Sequence, residues 1–234
     1  MKRLRIFDTL SKWLFILCLP FLLIAISIGW VANSRWFYEW GFQKFNVGRT
    51  TGLADVELSK VADGLVDYYN SGEEYISITV IKDGKPFELF NQREIVHLKD
   101  VKGLILLDYR ILLITLFYAL VYAGICLFWW KDRQKLAWRA IVGSILTLIL
   151  MLALGIGTLF GFEQLFLQFH LISFTNELWL LDPTKDYLIM LFPQKFFYTT
   201  ALLAAGITSV LALALGGGAG GYLLFNKKQR ANIG

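Results

Sequence analysis

Four long stretches of the chain carry no charged side chain: those between Lys12 and Arg35, Arg110 and Lys131, Arg139 and Glu163, and Lys195 and Lys227. Each has the length of about 20 residues that a helix needs to cross a hydrocarbon core. A soluble domain devotes roughly a quarter of its residues to charge, whereas this chain has 18% charged and 56% hydrophobic residues. The runs therefore read as membrane spans. A disordered chain, a nucleic-acid-binding domain and a disulfide scaffold are excluded.

A net charge of +5 invites a nucleic-acid partner, but its distribution argues otherwise. Residues 1–12 carry +3, 33–110 carry −2, 131–139 carry +3, 161–198 carry −2 and the tail beyond Phe225 carries +3. The sign changes at every crossing. Under the positive-inside rule both termini and the short basic loop are cytoplasmic, and the two long connections lie outside. The expected organisation is a cytoplasmic N-terminus (1–12), spans at 13–32, 110–130, 140–160 and 199–225, an extracytoplasmic cap (33–109), a cytoplasmic loop (131–139), an extracytoplasmic interfacial segment (161–198) and a cytoplasmic tail (226–234). The first run is too long for a signal-peptide core and reads as an uncleaved anchor, kinked at Pro20. Cys18 and Cys126 both fall inside spans, where apolar packing is the expected role. The fold class that follows is an all-α membrane protein with four transmembrane helices, a small α+β extracytoplasmic cap and an aromatic interfacial helical segment.

Within the cap, Asp55 reads as a helix N-cap, with Leu58, Val61, Leu65 and Tyr68 at helical spacing and Ser71-Gly72 closing the run. The period then drops to two: Ile76, Ile78 and Val80 alternate with Ser77 and Thr79. Lys82-Asp83-Gly84-Lys85 supplies a turn before Phe87–Phe90, which gives a β-hairpin. The cap is expected to cover the outer mouth of the bundle. Leu98, Val101 and Ile105 lead helically into the second span, putting His97 near that mouth.

The second outer segment is dense in aromatic residues, and Phe162, Leu165, Phe166 and Phe169 form one apolar face suited to a membrane interface. Asp182-Pro183 and Phe192-Pro193 read as helix starts, a cap followed by proline. His170, Ser173, Asn176 and Asp182 are polar groups among apolar neighbours. Glycines spaced by four, at Gly157 and Gly161 and again at Gly216 and Gly220, permit close helix packing.

The chain has only two histidines, His97 and His170, both expected on the outside. Interfacial histidines satisfied by hydrogen bonds explain them as well as chemistry does. The chemical alternative rests on histidine's ability to move protons near neutral pH. No Gly-x-Ser-x-Gly elbow, phosphate loop, His-Glu-x-x-His or Cys-x-x-Cys occurs. A zinc site from His97, His170 and an acid such as Asp182 lacks ligands at helical spacing.

Four spans with Arg93-Glu94-x-x-His97-Leu98-x-Asp100-Val101 in the first outer segment and His170-x-x-x-Phe174-x-Asn176-x-x-Trp179-x-x-Asp182-Pro183 in the second resemble the bacterial lipoprotein intramolecular transacylase family. The resemblance runs over nearly the whole chain, and the second motif is the more specific. It implies a multi-pass enzyme of the bacterial cell membrane with its active site at the outer leaflet. The substrate would be a diacylglyceryl lipoprotein, whose sn-2 acyl chain moves to the α-amine of the N-terminal cysteine, with no cofactor, metal or nucleic acid involved. His170 is the favoured base, and His97 orients it or protonates the leaving oxygen, with the roles exchangeable. Asn176 and Trp179 are candidate donors to the oxyanion or the peptide. Arg93, Glu94, Asp100 and Asp182 are candidate supporting groups, Asp182 chiefly as a helix cap. A different class of function stays open: a non-catalytic four-helix binding or immunity module that recognises lipid or a partner. Only the enzyme needs the histidines.

Overall fold

The computed structural model describes the backbone of residues 2–231 and the side chains of residues 9–229. Its elements run α1 (Lys2–Ala32), α2 (Arg35–Lys44), α3 (Val47–Thr51), α4 (Asp55–Asn70), β1 (Thr79–Lys82), β2 (Lys85–Glu88), α5 (Gln92–Gly124), a π-helical turn (Ile125–Trp129), α6 (Arg133–Ser173), α7 (Tyr187–Leu191) and α8 (Gln194–Ala231). Among the described residues four helices are long and apolar enough to cross a membrane: Thr9–Ala32, Gln92–Trp129, Arg133–Ser173 and Gln194–Gln229. The chain forms two compact units. One comprises Met1–Ile28, Tyr109–Ile156 and Leu203–Gly234, and the other Gly29–Asp108 and Gly157–Leu202.

The first unit is built from parts of the four long helices. Phe15, Leu19 and Leu22 of α1 pack with Ala119, Tyr122 and Cys126, and the rings of Phe15 and Tyr122 stack at 4.6 Å. Both cysteines are buried and unpaired with each other. Helix α1 continues through Pro20, which cannot donate to the Ile16 carbonyl. There α6 comes close at Gly143, where an added methyl would lie 3.2 Å from that oxygen and 2.5 Å from Leu19. Of the last-span glycines, only Gly216 has a close neighbour, Ser144, at 2.9 Å from its would-be Cβ; Gly217, Gly218, Gly220 and Gly221 face open space. The packing role thus belongs to one glycine of that group.

The second unit has its own core. In α4 the spacing of Leu58, Val61, Leu65 and Tyr68 does bury one face, with Val61 and Leu65 fully enclosed. The N-cap is Ala54, not Asp55, which sits inside the first turn where its charge still faces the positive end of the helix. The hairpin is present in the register Thr79↔Glu88 to Lys82↔Lys85. Asp83 and Gly84 both take positive φ, 51° and 74°, the two-residue turn whose twist matches paired strands. Ile76, Ile78 and Val80 point inward, and Ile78 lies so close to α4 that a Cβ on Gly64 would come within 2.7 Å of it.

Several elements depart from the expectations. Helices α2 and α3 precede α4, and α2 buries Phe37, Tyr38, Gly41 and Phe42. Their pattern was obscured because Trp36, on the opposite face, is equally aromatic yet 64% exposed. Of the basic segment 131–139, the part from Arg133 onward is already helical, with Asp132 accepting from the Lys135 amide at 3.0 Å as a cap does. Helix α6 runs to Ser173, interrupted in backbone geometry only at Gly161. Within the expected apolar face, Phe162 and Phe166 stack on each other and meet Tyr198 and Phe197 respectively, while Leu165 and Phe169 stay exposed. Asp182-Pro183 starts no helix. Asp182 instead accepts from the Thr184 amide and hydroxyl in a side-chain-closed turn, and α7 begins later, after Asp186. Pro193 directly precedes α8, and its carbonyl takes the Phe196 amide at 2.7 Å.

Candidate active site

The N-terminus of α5 is set by a reciprocal cap. Asn91 accepts from the amides of Arg93 and Glu94 at 2.9 and 3.1 Å, and Glu94 reaches back to the Asn91 amide at 2.8 Å. The other carboxylate oxygen of Glu94 takes the Leu188 amide at 2.6 Å, so one side chain terminates α5 and holds α7. Asn91 also donates to Asp186 at 2.8 Å, and Asp186 accepts the Asp182 amide at 2.7 Å. Glu94 and Asp186 are 1% and 3% exposed. Two carboxylates this enclosed persist because each of their four oxygens meets a donor. Asn91 and Asp186 were not singled out in the sequence. The spacing Asn-x-x-Glu before a helix carried the signal for the first, but nothing local announced the second.

One turn beyond Glu94 stands His97, buried, with its Nδ1 lacking a hydrogen-bond partner among the described residues. His170, on the part of α6 that follows Gly161, lies beside it although 73 positions separate them: the imidazole centroids are 6.4 Å apart and the rings are 27° from parallel. Nδ1 of His170 is 2.7 Å from the Phe166 carbonyl oxygen, one helical turn back. A carbonyl can only accept, so the ring's proton sits on Nδ1 and the lone pair is left on Nε2. The pair is walled by rings. Phe174 stands 5.0 Å from His97 edge-on, and Phe166 and Trp179 stand 4.4 and 4.9 Å from His170.

The segment carrying Trp179 is fastened to α5 at two points. Asn176 donates to Asp100 at 2.8 Å and accepts from the Leu178 amide at 3.0 Å. Arg93 donates to the Glu177 carbonyl at 2.5 Å and to that of Leu178 at 3.4 Å. Arg93, Glu94, His97 and Asp100 thus belong to one constellation with His170, Asn176 and Trp179. Asp182 stands at its edge, joined through Asp186; it forms an ion pair with Lys185 at 3.4 Å, and its carboxyl is held below its ordinary range mainly by the Thr184 hydroxyl and amide. Asn176 spends its amide on the loop and on Asp100, which makes it a fastener of the Trp179 segment. Among the described residues no group of three His, Cys, Asp or Glu side chains converges as metal ligands.

Known proteins resemble this chain over most of its length. A protein of Aquifex aeolicus (strain VF5) without an assigned function is 28% identical over 206 residues, covering 84% of this chain and 87% of its own length. The in meso structure of the membrane integral lipoprotein intramolecular transacylase Lit from Bacillus cereus has a TM-score of 0.76 at 24% identity, covering 96% of this chain and 98% of that one. A variant of the same protein with one histidine replaced by arginine gives 0.77 at 21% identity, covering 98% and 100%. At such identities the structures establish a shared fold. The family model for lipoprotein intramolecular transacylase Lit matches residues 13–197, the span that contains every residue of the histidine constellation, and the chain belongs to that family.

Proposed function

We propose that the chain carries out the family's reaction on diacylglyceryl lipoproteins, moving the sn-2 acyl chain from its ester oxygen to the α-amine of the N-terminal cysteine. The observation that carries this reading is the His97–His170 pair, 6.4 Å apart inside a wall of aromatic rings, with the His170 proton committed to Nδ1. Amine and ester belong to one molecule, so the protein needs no nucleophile of its own; it needs to hold the two in a near-attack pose. An α-amine of pKa about 7.7 to 8.0 must shed a proton as its nitrogen attacks the ester carbonyl carbon. Nε2 of His170 is the base for that proton. The tetrahedral intermediate then expels the sn-2 oxygen, which takes up a proton, and the products are an amide and a free glycerol hydroxyl. Because the Phe166 carbonyl already orients His170, His97 is left for the second task, handing the leaving oxygen the proton that His170 has taken from the amine, so that both rings end neutral as they began. Trp179 shields the ring from water, and Asn176, Asp100 and Arg93 hold Trp179 where it is.

Location supports the same reading. The apolar helix Gln92–Trp129 has 38 residues, roughly 57 Å, against a core of roughly 30 Å, so its first turns, with Glu94 and His97, can stand clear of the hydrocarbon. The charge pattern supports an outside location for that end. Cysteines introduced at Ser71 and Thr184 are expected to react with an impermeant thiol reagent in intact cells and one at Gln134 to stay unlabelled; labelling at Gln134 overturns the orientation.

The function is tested in a bacterium whose lipoproteins carry a free amine. Expression of this chain is expected to yield the N-acyl lyso-form with no added acyl donor. The intact mass is unchanged because an acyl group moves within the molecule, so fragmentation is the readout: one chain on the N-terminal amide and one on glycerol. Unaltered lipoproteins alongside well-inserted protein overturn the proposal.

A further inference from the structure

The unit built from the long helices contains an apolar groove of about 780 Å³ that the histidine site does not use. It is lined by α1, α5 with the π-helical turn, α6 and α8, and among its lining residues the only charged one is Arg133, with Tyr222 the only phenol. Along α8 the groove runs from Leu211 to Tyr222, about 16 Å of helix, which is the depth of one leaflet when the whole core is about 30 Å. Its polar end, with Arg133 and Tyr222, has the chemistry suited to a membrane interface. There the π-helical turn displays Phe128 and Trp129, 79% and 84% exposed, next to Trp130, and such rings collect at the headgroup level. A π-turn in a helix that lines a cavity is itself a frequent mark of a binding site, and this one puts Leu127 into the groove.

The charges at that end select the occupant. Asp132 is paired with Lys135 at 2.6 Å, and Arg133 has no carboxylate partner among the described residues. Lys131 adds to the positive field, with Lys227 and Lys228 near the end of the same helix as Tyr222. A leaflet-deep apolar slot with an unpaired guanidinium at its interfacial mouth is complementary to a molecule with a long acyl chain and an anionic head.

The geometry points to a structural lipid site: one anionic diacyl phospholipid with an acyl chain in the groove and its phosphate on Arg133, in the leaflet that borders the basic segment 131–139. This inference is independent of the acyl-transfer reading. It can be tested on the full chain purified in neutral detergent, titrated with phosphatidylglycerol or phosphatidylcholine of identical chains and examined by native mass spectrometry. One phosphatidylglycerol per chain should be retained about fivefold more tightly than phosphatidylcholine, the value of one basic group at an anionic surface. Arg133→Gln should erase that preference while leaving apolar retention, and Ala214→Trp, which fills the groove from an exposed position, should abolish retention of both. A preference that survives Arg133→Gln, or retention that survives Ala214→Trp, overturns the site. So does displacement of the lipid by inorganic phosphate at equal concentration, or a dimer that Ala214→Trp dissociates.

Discussion

The two units of this protein use their polar side chains in opposite ways. In the unit made from the long helices, hydroxyls mostly return to their own backbone: Ser27 to Leu23, Thr115 to Ile111, Thr147 to Gly143 and Thr208 to Ala204, each one turn back. The links between Thr208 and Ser27 at 2.8 Å, from Tyr118 to the Ser11 carbonyl and from Arg139 to the Tyr122 hydroxyl are exceptions. In the unit that holds the histidines, polar groups reach across the sequence: Asn176 to Asp100, Asn91 to Asp186, Glu94 to Leu188 and Arg93 to Glu177. A helix in lipid must satisfy its backbone internally and then needs only shape to pack. A reactive pair must be held to a fraction of an ångström, and shape alone does not do that where the wall beside it, the segment carrying Trp179, is irregular chain. The first unit should therefore tolerate substitution where the second does not.

The sharpest way to break this contrast is through the imidazoles. His170→Gln and His97→Gln are each expected to lower acyl transfer by about 10²- to 10⁴-fold, the usual worth of a positioned proton carrier, with insertion and melting temperature unchanged. Loss of activity accompanied by loss of folded protein would make the pair structural. Glu94→Ala removes the acceptor for two backbone amides and should cost about 1 to 3 kcal/mol of stability, read as a lower thermal midpoint, along with reduced activity. Glu94→Gln keeps an acceptor and should recover part of both.

Glycines give a paired test of the two regions. At Gly41 an added Cβ would meet the Phe196 ring at 2.3 Å, inside a cluster that also holds Phe37, Tyr38 and Phe192. Gly41→Ala should destabilise by about 1 to 3 kcal/mol, the range for overpacking. Gly217→Ala, in the other unit and facing open space, should stay within about 0.5 kcal/mol. Equal effects on the thermal midpoint would remove the distinction. The smallest effect is expected at Glu57, whose carboxyl is held below its ordinary range by the Lys60 ammonium and the Ile81 amide. A depressed folded-state pKa gives stability that is present above the unfolded value and disappears as pH falls through the folded one. Acid titration of the thermal midpoint should thus show a step in that region that Glu57→Gln lacks.

What could be read from the sequence follows the range of the interactions. Spans, the α4 face and the Asp83-Gly84 turn are local patterns, and each was legible because a few adjacent residues fix it. The histidine pair was legible for a different reason: only two such side chains exist, and the family motifs flank both. Helix α2 was not, since Trp36 and Phe37 look alike in a hydropathy pattern yet point to opposite sides. The grip of Glu94 on Leu188 spans 94 positions and involves a backbone amide, a group every residue but proline owns, so no composition or spacing can announce it. Asp182 misled because an Asp before Pro closes a turn by the same chemistry with which it caps a helix.

The hydrogen bond between His170 and the Phe166 carbonyl has a further chemical meaning. It divides the two ring nitrogens into one that is occupied and one that is available, so protons come to and leave this residue through Nε2 alone. The proposed substrate is itself an acyl donor, and the same nitrogen stands nearest to becoming acylated by mistake. Crowding that leaves a proton room to reach Nε2 but denies a carbonyl carbon the approach would keep the enzyme from trapping itself, and the Phe166 and Trp179 rings, with centroids 4.4 and 4.9 Å from that of the imidazole, are the groups close enough to supply it. Trimming Trp179 to alanine should then leave a fraction of the protein heavier by one acyl chain, a scar that would record the route the intact ring closes.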